Sequence, residues 1–314
     1  SKEEGNLVAF FGPDFKATFD KQSGLLTSYL YKKHEYILNG QGPRPFFWRA
    51  PTDNDYGANL PVRLKAWKEA SYQEPKAESF QVTPGSNATT VKVTYRFPQT
   101  EARWNITYKI YASGVIKVDN RFMAEGDQAP MIPRVGLRMQ LPESFTDLTY
   151  YGRGPKENYR DRRTSQFIGE YAIPVKDMYE PYVRPQENNH RTDIYWCALT
   201  DKTQRGLLLI ADRTFELNAS NYPLESMDSG DTIDNGAPRT EKTHHRHLTD
   251  PLPEKMVDLF IDYRMMGVGG DDSWGATAHE PYLIRPGKEN AIEYGFSLVP
   301  FDKKEDYKYL IQQY

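Results

Sequence analysis

Short runs in which apolar and polar residues alternate dominate the chain. Val91-Lys92-Val93-Thr94-Tyr95-Arg96-Phe97 is the clearest. A period of two sends successive side chains to opposite faces of a strand. Asn105 to Tyr111 and Val115 to Phe122 flank Ala112-Ser113-Gly114, which predicts a hairpin with glycine at its turn. Trp196 to Leu199 and Gly206 to Ala211 repeat this around the polar stretch Asp201 to Arg205. Arg134 to Leu141, Leu148 to Tyr151, Met256 to Tyr263 and Glu293 to Val299 complete the set. Most runs alternate, so one face of each is wetted, as antiparallel sheets allow.

Helical periodicity is sparse. Pro61 to Ala70 predicts one helix, with Pro61 suited to the first helical position and Asn59 placed to cap it. Lys303 to Gln312 is a weaker second. No strand–helix–strand rhythm exists, which argues against a TIM barrel or a Rossmann sheet. Polar, proline-rich stretches separate the strands: Gly40 to Asn59, Gly152 to Arg163, Met178 to Arg191 and Ser220 to Leu252. Loops of that length in a compact domain are often functional. No shift in composition marks a boundary. The expected fold is all-β: one large antiparallel two-sheet β-sandwich over residues 1–314.

Composition narrows the function classes. The chain has 314 residues, 38% of them hydrophobic and 13% aromatic, with a mean hydropathy of -0.75. The aromatic content argues against disorder. No apolar run is long enough for a membrane span, so the chain reads as soluble, with no compartment assigned. Forty basic against 43 acidic residues leave a net charge of -3. No block of like charge supplies the phosphate-neutralising surface that nucleic acids require. Cys197 is the single cysteine, which excludes an intramolecular disulfide and a cysteine-based zinc cluster. It lies in the apolar run Tyr195-Trp196-Cys197-Ala198-Leu199 and reads as buried and inert. The opening Ser1-Lys2-Glu3-Glu4-Gly5 has no initiator Met and no apolar signal region, as expected of a segment excised from a longer protein.

Four motifs could carry chemistry. Arg49-Ala50-Pro51-Thr52-Asp53-Asn54-Asp55-Tyr56-Gly57 puts two carboxylates and an amide on one turn. It fails as a calcium loop, since its glycine comes one place early and position twelve is Leu64. It is either an Asx turn satisfying its own backbone or a polar rim for hydroxyl groups with Gly57 as a hinge. Gly267-Val268-Gly269-Gly270-Asp271-Asp272-Ser273-Trp274 has the wrong spacing for a dinucleotide fingerprint. Its glycines suggest positive φ or close backbone approach. Trp274 beside Asp271 and Asp272 is either a core residue or an indole plate for a sugar's C–H face, with carboxylates for its hydroxyls. His244-His245-Arg246-His247 places His245 and His247 on one face, half a metal site with no third ligand to name; no metal is assigned. Tyr151-Gly152-Arg153-Gly154-Pro155-Lys156-Glu157-Asn158-Tyr159 reads as a structural bend, with Arg153 and Glu157 close enough in sequence to pair.

Taken together, these stretches resemble the C-terminal domain of the large bacterial β-galactosidases of glycoside hydrolase family 2. The resemblance rests on Arg49 to Gly57, Gly152 to Tyr159, Asp177-Met178-Tyr179-Glu180-Pro181-Tyr182-Val183 with Glu187-Asn188, Gly267 to Trp274, and the short His245-Arg246-His247-Leu248. Their order and spacing match from about Phe15 to Val299. Arg184 departs from the pattern where an aromatic is familiar, and Asn189-His190 where a glycine is familiar. The resemblance implies a galactose mutarotase-like supersandwich. It also implies a parent enzyme that removes terminal non-reducing β-galactose by a retaining mechanism. In that family the two catalytic glutamates lie on a preceding TIM-barrel domain of the same chain, so no catalytic residue is assigned here. Trp274 matches a tryptophan stacking near the sugar, and Gly57 a hinge glycine in a loop closing on substrate. The substrate-binding set is thus Trp274, Asp271, Asp272, Asp53, Asn54, Asp55 and Gly57. The domain itself is expected to carry no cofactor, since magnesium and sodium ions are bound largely by other domains, and the parent is expected to be a homo-oligomer.

Two alternatives remain open. A stand-alone aldose epimerase needs an acid and a base facing one another, for which His190, His245 and Glu187 are the candidates. A non-catalytic carbohydrate-binding module needs only the binding residues.

Overall fold

The computed structural model describes residues 1–124, 131–229, 247–272, 275–285, 287, 291–302 and 305–313. An N-terminal meander forms a five-stranded antiparallel sheet: β1 (Lys2–Glu4), β2 (Leu7–Phe11), β3 (Phe15–Asp20), β4 (Leu26–Tyr31) and β5 (His34–Glu35). The elements that follow are β6 (Arg44–Phe46), α1 (Asp53–Gly57), α2 (Leu60–Arg63), α3 (Lys65–Tyr72), β7 (Ala77–Thr83), β8 (Ala88–Phe97), β9 (Ala102–Tyr111) and β10 (Ile116–Ala124). After these come β11 (Arg134–Pro142), β12 (Asp147–Gly154), β13 (Phe167–Pro174), β14 (Arg191–Thr200), β15 (Gly206–Ser220), β16 (Met256–Met265), β17 (Ile292–Phe301) and α4 (Tyr307–Ile311).

Strands β6 to β17 make one twelve-stranded antiparallel sheet. Its long path runs β13-β12-β14-β15-β17-β10-β9-β8-β7, and β6-β11-β16 branch from β15. The branch follows from the length of β15. Gly206 to Ala211 pair with β17 on one side, while Glu216 to Ser220 pair with β16. Each expected strand is present, and the expected all-β sandwich is the fold.

Aromatic side chains fill the space between the layers. Phe19 of β3 meets Tyr108 of β9 edge-on at 5.1 Å. Phe47, just after β6, packs on Trp67 of α3 at 5.0 Å, Phe97 of β8 at 5.0 Å and Trp104 of β9 at 5.6 Å. The Phe19–Tyr108, Phe47–Phe97 and Phe47–Trp104 pairs are edge-to-face, the geometry ring quadrupoles favour, and Phe47–Trp67 is tilted at 45°. A second cluster lies on the other face of the large sheet. Trp196, Ala198, Leu208 and Ile210 point into it, while Cys197, Leu199, Leu207 and Leu209 point into the main core. Tyr307, Leu310 and Ile311 cover it. These two runs are therefore buried on both faces, unlike the one-sided alternation expected of most strands. Cys197 is buried, and burial pushes its thiol pKa well up.

Two expectations need correcting. The helix over Pro61 to Ala70 is broken at Leu64 (φ -112°, ψ 18°) into α2 and α3. Asn59 flanks α2 with left-handed φ of 57° but caps it with no side-chain hydrogen bond. The C-terminal helix is shorter than expected and begins where Asp306 accepts from the Lys308 amide.

Candidate functional site

Arg49 ties two loops together from inside the protein. It is 2% exposed. Its Nε and Nη2 donate to Asp55 Oδ2 and Oδ1 at 3.0 and 2.8 Å. Its Nη1 and Nη2 also donate to the carbonyl oxygens of Met266 and Gly267 at 2.7 and 3.1 Å. Burial opposes the guanidinium charge, but Asp55 outweighs it and holds the Arg49 pKa above its ordinary value. Asp55 also accepts from the Thr52 amide at 3.0 Å, and Thr52 Oγ1 accepts from the Asp55 amide at 3.1 Å. This reciprocal capping box starts α1. The motif is therefore a capped helical turn rather than a simple Asx turn.

The glycine-rich loop sits against that turn. Asn54 Nδ2 donates to the Val268 carbonyl at 3.0 Å. Gly269, Gly270 and Gly275 have φ of 70°, 117° and 136°, a region that L side chains rarely adopt. A Cβ on Gly275 would lie 3.1 Å from the Gly57 carbonyl, and one on Gly267 would lie 2.5 Å from Asp161 Oδ2. Asp161 accepts from the backbone amides of Val268 and Gly269 at 3.0 and 2.8 Å. The stretch 152–163 thus fixes the start of the loop that leads to Trp274.

The third motif closes on the same place. The Arg184 guanidinium lies 4.0 Å over the Tyr56 ring and 3.7 Å from Asp53. Gln186 Nε2 donates to Asp53 Oδ2 at 3.2 Å. The Glu187 amide donates to the Ala50 carbonyl, and the Asn189 amide to Glu157 Oε2 at 2.9 Å. Asn189 has φ of 59°, so the place where a glycine is familiar is left-handed, and asparagine tolerates it. Arg153 does not pair with Glu157. It donates to Asp193 at 2.7 Å, while Glu157 accepts from Arg162 at 2.9 Å.

The structure therefore gathers Asp53, Asn54, Gly57, Asp271 and Asp272 into adjoining loops. The Asp53 side chain is largely exposed. Asp271 pairs with His279 at 2.5 Å on the surface, which raises the His279 pKa. Asp272 Oδ1 accepts from the Ala276 amide at 3.1 Å. Asp55 differs from its neighbours: it is 5% exposed, and Arg49 and Thr52 engage both its oxygens. Its position is that of an internal clamp rather than a rim. Trp274, His244, His245 and Arg246 lie outside the described residues; His247 is exposed. Among the described residues no group of three or more His, Cys, Asp and Glu side chains could hold a metal ion.

The candidate epimerase pair is internal. His190 is 1% exposed, with Nδ1 on Asn218 Oδ1 at 2.7 Å and Nε2 on Glu216 Oε2 at 3.0 Å. Glu187 is buried and accepts from Asn218 Nδ2 at 2.8 Å. Neither is open to a substrate. Sequence reasoning missed the roles of Arg49, Asp161 and Arg184. Arg49 had a visible signal, a lone cation preceding a run of carboxylates.

The sequence model of the family described as "Beta galactosidase small chain" matches residues 11–298. A β-galactosidase from Priestia megaterium is 34% identical over 273 residues, covering 87% of this chain and 25% of that protein. One from Lactobacillus delbrueckii subsp. bulgaricus is 33% identical over 275 residues, with the same coverage. The chain thus spans about a quarter of the length of these relatives. Among solved structures, a galactose 1-epimerase from Lactobacillus acidophilus superposes with a TM-score of 0.52 at 8% identity, over 95% of this chain and 98% of that one. That likeness concerns the fold alone, a mutarotase-like sandwich. On the match over residues 11–298, the chain belongs to the β-galactosidase small chain family.

Proposed function

We propose that this chain is the C-terminal sandwich of a retaining β-galactosidase and that its loop cluster forms one wall of the galactose site. The carrying observation is the convergence of 49–57, 152–163, 184–189 and 267–272 around Arg49, Asp53 and Asp161. Asp53 and Asn54 would meet sugar hydroxyls, Trp274 would stack on the sugar's apolar face, and Gly57 would let the loop close. Asp271 and Asp272 would shape the approach to Trp274. The retaining reaction needs two carboxyl groups roughly 5 Å apart on either side of the glycosidic bond. In this reading a TIM-barrel domain of the same parent supplies them, along with most of any magnesium or sodium binding, and the parent assembles as a homo-oligomer.

The test is hydrolysis of o-nitrophenyl β-galactoside. The 314-residue chain alone is expected to release no nitrophenol. The full-length enzyme is expected to release it, with KM raised roughly tenfold in Trp274→Ala. Release by the chain alone, or unchanged kinetics in Trp274→Ala, overturns the reading.

A further inference from the structure

A second concavity lies away from the loop cluster. A cleft of about 810 Å³ opens across β9, β10, β17 and β15. Asn105, Thr107, Asp119, Asp212, Arg213 and Gly295 are among its lining residues, with Tyr263 and Arg264 of β16. We infer that this cleft is a second saccharide-binding site, one that takes a neutral oligosaccharide.

The chemistry of the lining selects the ligand. Carboxylates and guanidinium groups line it in nearly equal number, so it offers no net field for a charged molecule. It does offer acceptors beside donors at short intervals, which is what a chain of hydroxyl groups needs. Gly295 makes room at the centre for the Lys117 ammonium, which pairs with Asp212 and lies 3.6 Å from Asp119. A Cβ there would lie 3.0 Å from both Asp119 Oδ1 and Lys117 Nζ, with Asp212 closer still. An ammonium and two carboxylates therefore converge over backbone with no side chain of its own. The half-buried Tyr263 adds a ring, with the Arg264 guanidinium 4.9 Å above it.

Asn120 lines the cleft and is 4% exposed. Its Oδ1 accepts from Trp104 Nε1 at 3.0 Å, but its Nδ2 is buried with no partner. Strand alternation turns the Asn120 side chain to the Trp104 side of β10, away from Asp119 and Gly295, so this donor belongs to the core beneath the cleft. At the rim, Arg213 and Thr214 are exposed and have no side-chain hydrogen bond among the described residues.

Arg160 lines the cleft, and its chain neighbour Asp161 holds the glycine-rich loop. The cleft is nonetheless a separate surface, and the inference does not depend on the proposed galactosidase role.

Titration of the 314-residue chain with β-galactotriose, followed by calorimetry and by amide NMR shifts, tests it. Saturable binding is expected, with the largest shifts at Thr107, Asp119 and Gly295. Arg213→Ala and Asp212→Ala should each weaken it roughly tenfold, while Asp53→Ala in the loop cluster leaves it unchanged. Arg213 is on the surface, so its variant carries the test even if Asp212→Ala misfolds. Absence of binding overturns the inference. So does binding that survives Arg213→Ala but is lost in Asp53→Ala, which would assign the sugar to the loops. Hydrolysis by the full-length enzyme is unaffected by either result, so the two readings fail separately.

Discussion

Arg49 and Asp55 form a buried two-point ion pair, 2.8 and 3.0 Å between their atoms, that joins the capped turn of α1 to the carbonyls of Met266 and Gly267. Removing one partner of such a pair strands a charge in a low-dielectric interior. Asp55→Ala is therefore expected to lower unfolding free energy by about 3–5 kcal/mol, read from urea midpoints. Asp55→Asn keeps one acceptor and should lose less. If both variants unfold at the wild-type midpoint, Arg49 is not held as described.

Asp193 joins two cations. Arg153 Nε donates to it at 2.7 Å and Arg163 Nη1 at 2.8 Å. Burial alone would raise its pKa, but the two arginines outweigh burial and hold it below the usual carboxylate value. A carboxyl whose pKa is lower folded than unfolded stabilises the fold above its unfolded pKa and loses that contribution as pH falls through the folded one. Asp193→Asn should thus cost about 2 kcal/mol at pH 7, and the gap from wild type should shrink in strong acid. Asn also tolerates the φ of 57° found there, so the backbone is not a confounding cause. A gap that is constant from neutral pH down to acid would refute the assignment.

Trp67 and Trp104 offer a matched pair of core tests. Both are fully buried around Phe47 and Phe122. Trp104 Nε1 donates to Asn120, whereas Trp67 Nε1 has no partner among the described residues. Truncation to Ala should cost about 3–5 kcal/mol at either site. Replacement by Phe should separate them. Trp67→Phe removes an unsatisfied donor and should cost less than Trp104→Phe, which leaves the Asn120 amide with a second unmatched atom. Thermal unfolding of the two variants at one pH decides it; equal losses would show that the indole N–H groups have equivalent surroundings.

The alternating pattern made the central strands legible because half-buried antiparallel strands write their two faces directly into sequence. The reading failed where that code is absent. The strands β1, β5 and β6 have only two or three residues, too few to establish a period. Edge strand β13 begins with the exposed Phe167 and Ile168, so its apolar residues mark no core face. At the loop cluster, sequence located the segments but not which carboxylates face outward. Asp53 and Asp55 stand two apart on one turn; the capping box with Thr52 favours Asp55 locally, and the buried Arg49, fixed by contacts more than 200 residues distant in sequence, completes its inward turn. Asp161 was invisible for the same reason: its partners are backbone amides of another loop, and those leave no trace in side-chain identity.

That same residue yields the sharpest functional prediction. Asp161 accepts from two successive amides, Val268 at 3.0 Å and Gly269 at 2.8 Å, ahead of a loop whose glycines at 269, 270 and 275 all have positive φ. Arg49 and Asn54 hold the carbonyls of Gly267 and Val268, while Asp161 holds the amides at the loop's start, where glycine would otherwise leave the chain its largest conformational freedom. Asp161→Ala should release the segment leading to Trp274 while leaving the two hydrophobic clusters intact. In the full-length enzyme the expected result is KM raised roughly tenfold with a smaller change in kcat. Asp161→Asn should restore part of the loss, because one carbonyl oxygen still accepts. A merely structural role would instead lower the unfolding midpoint and leave KM alone. A variant with wild-type KM and reduced stability would therefore remove Asp161 from the positioning of Trp274.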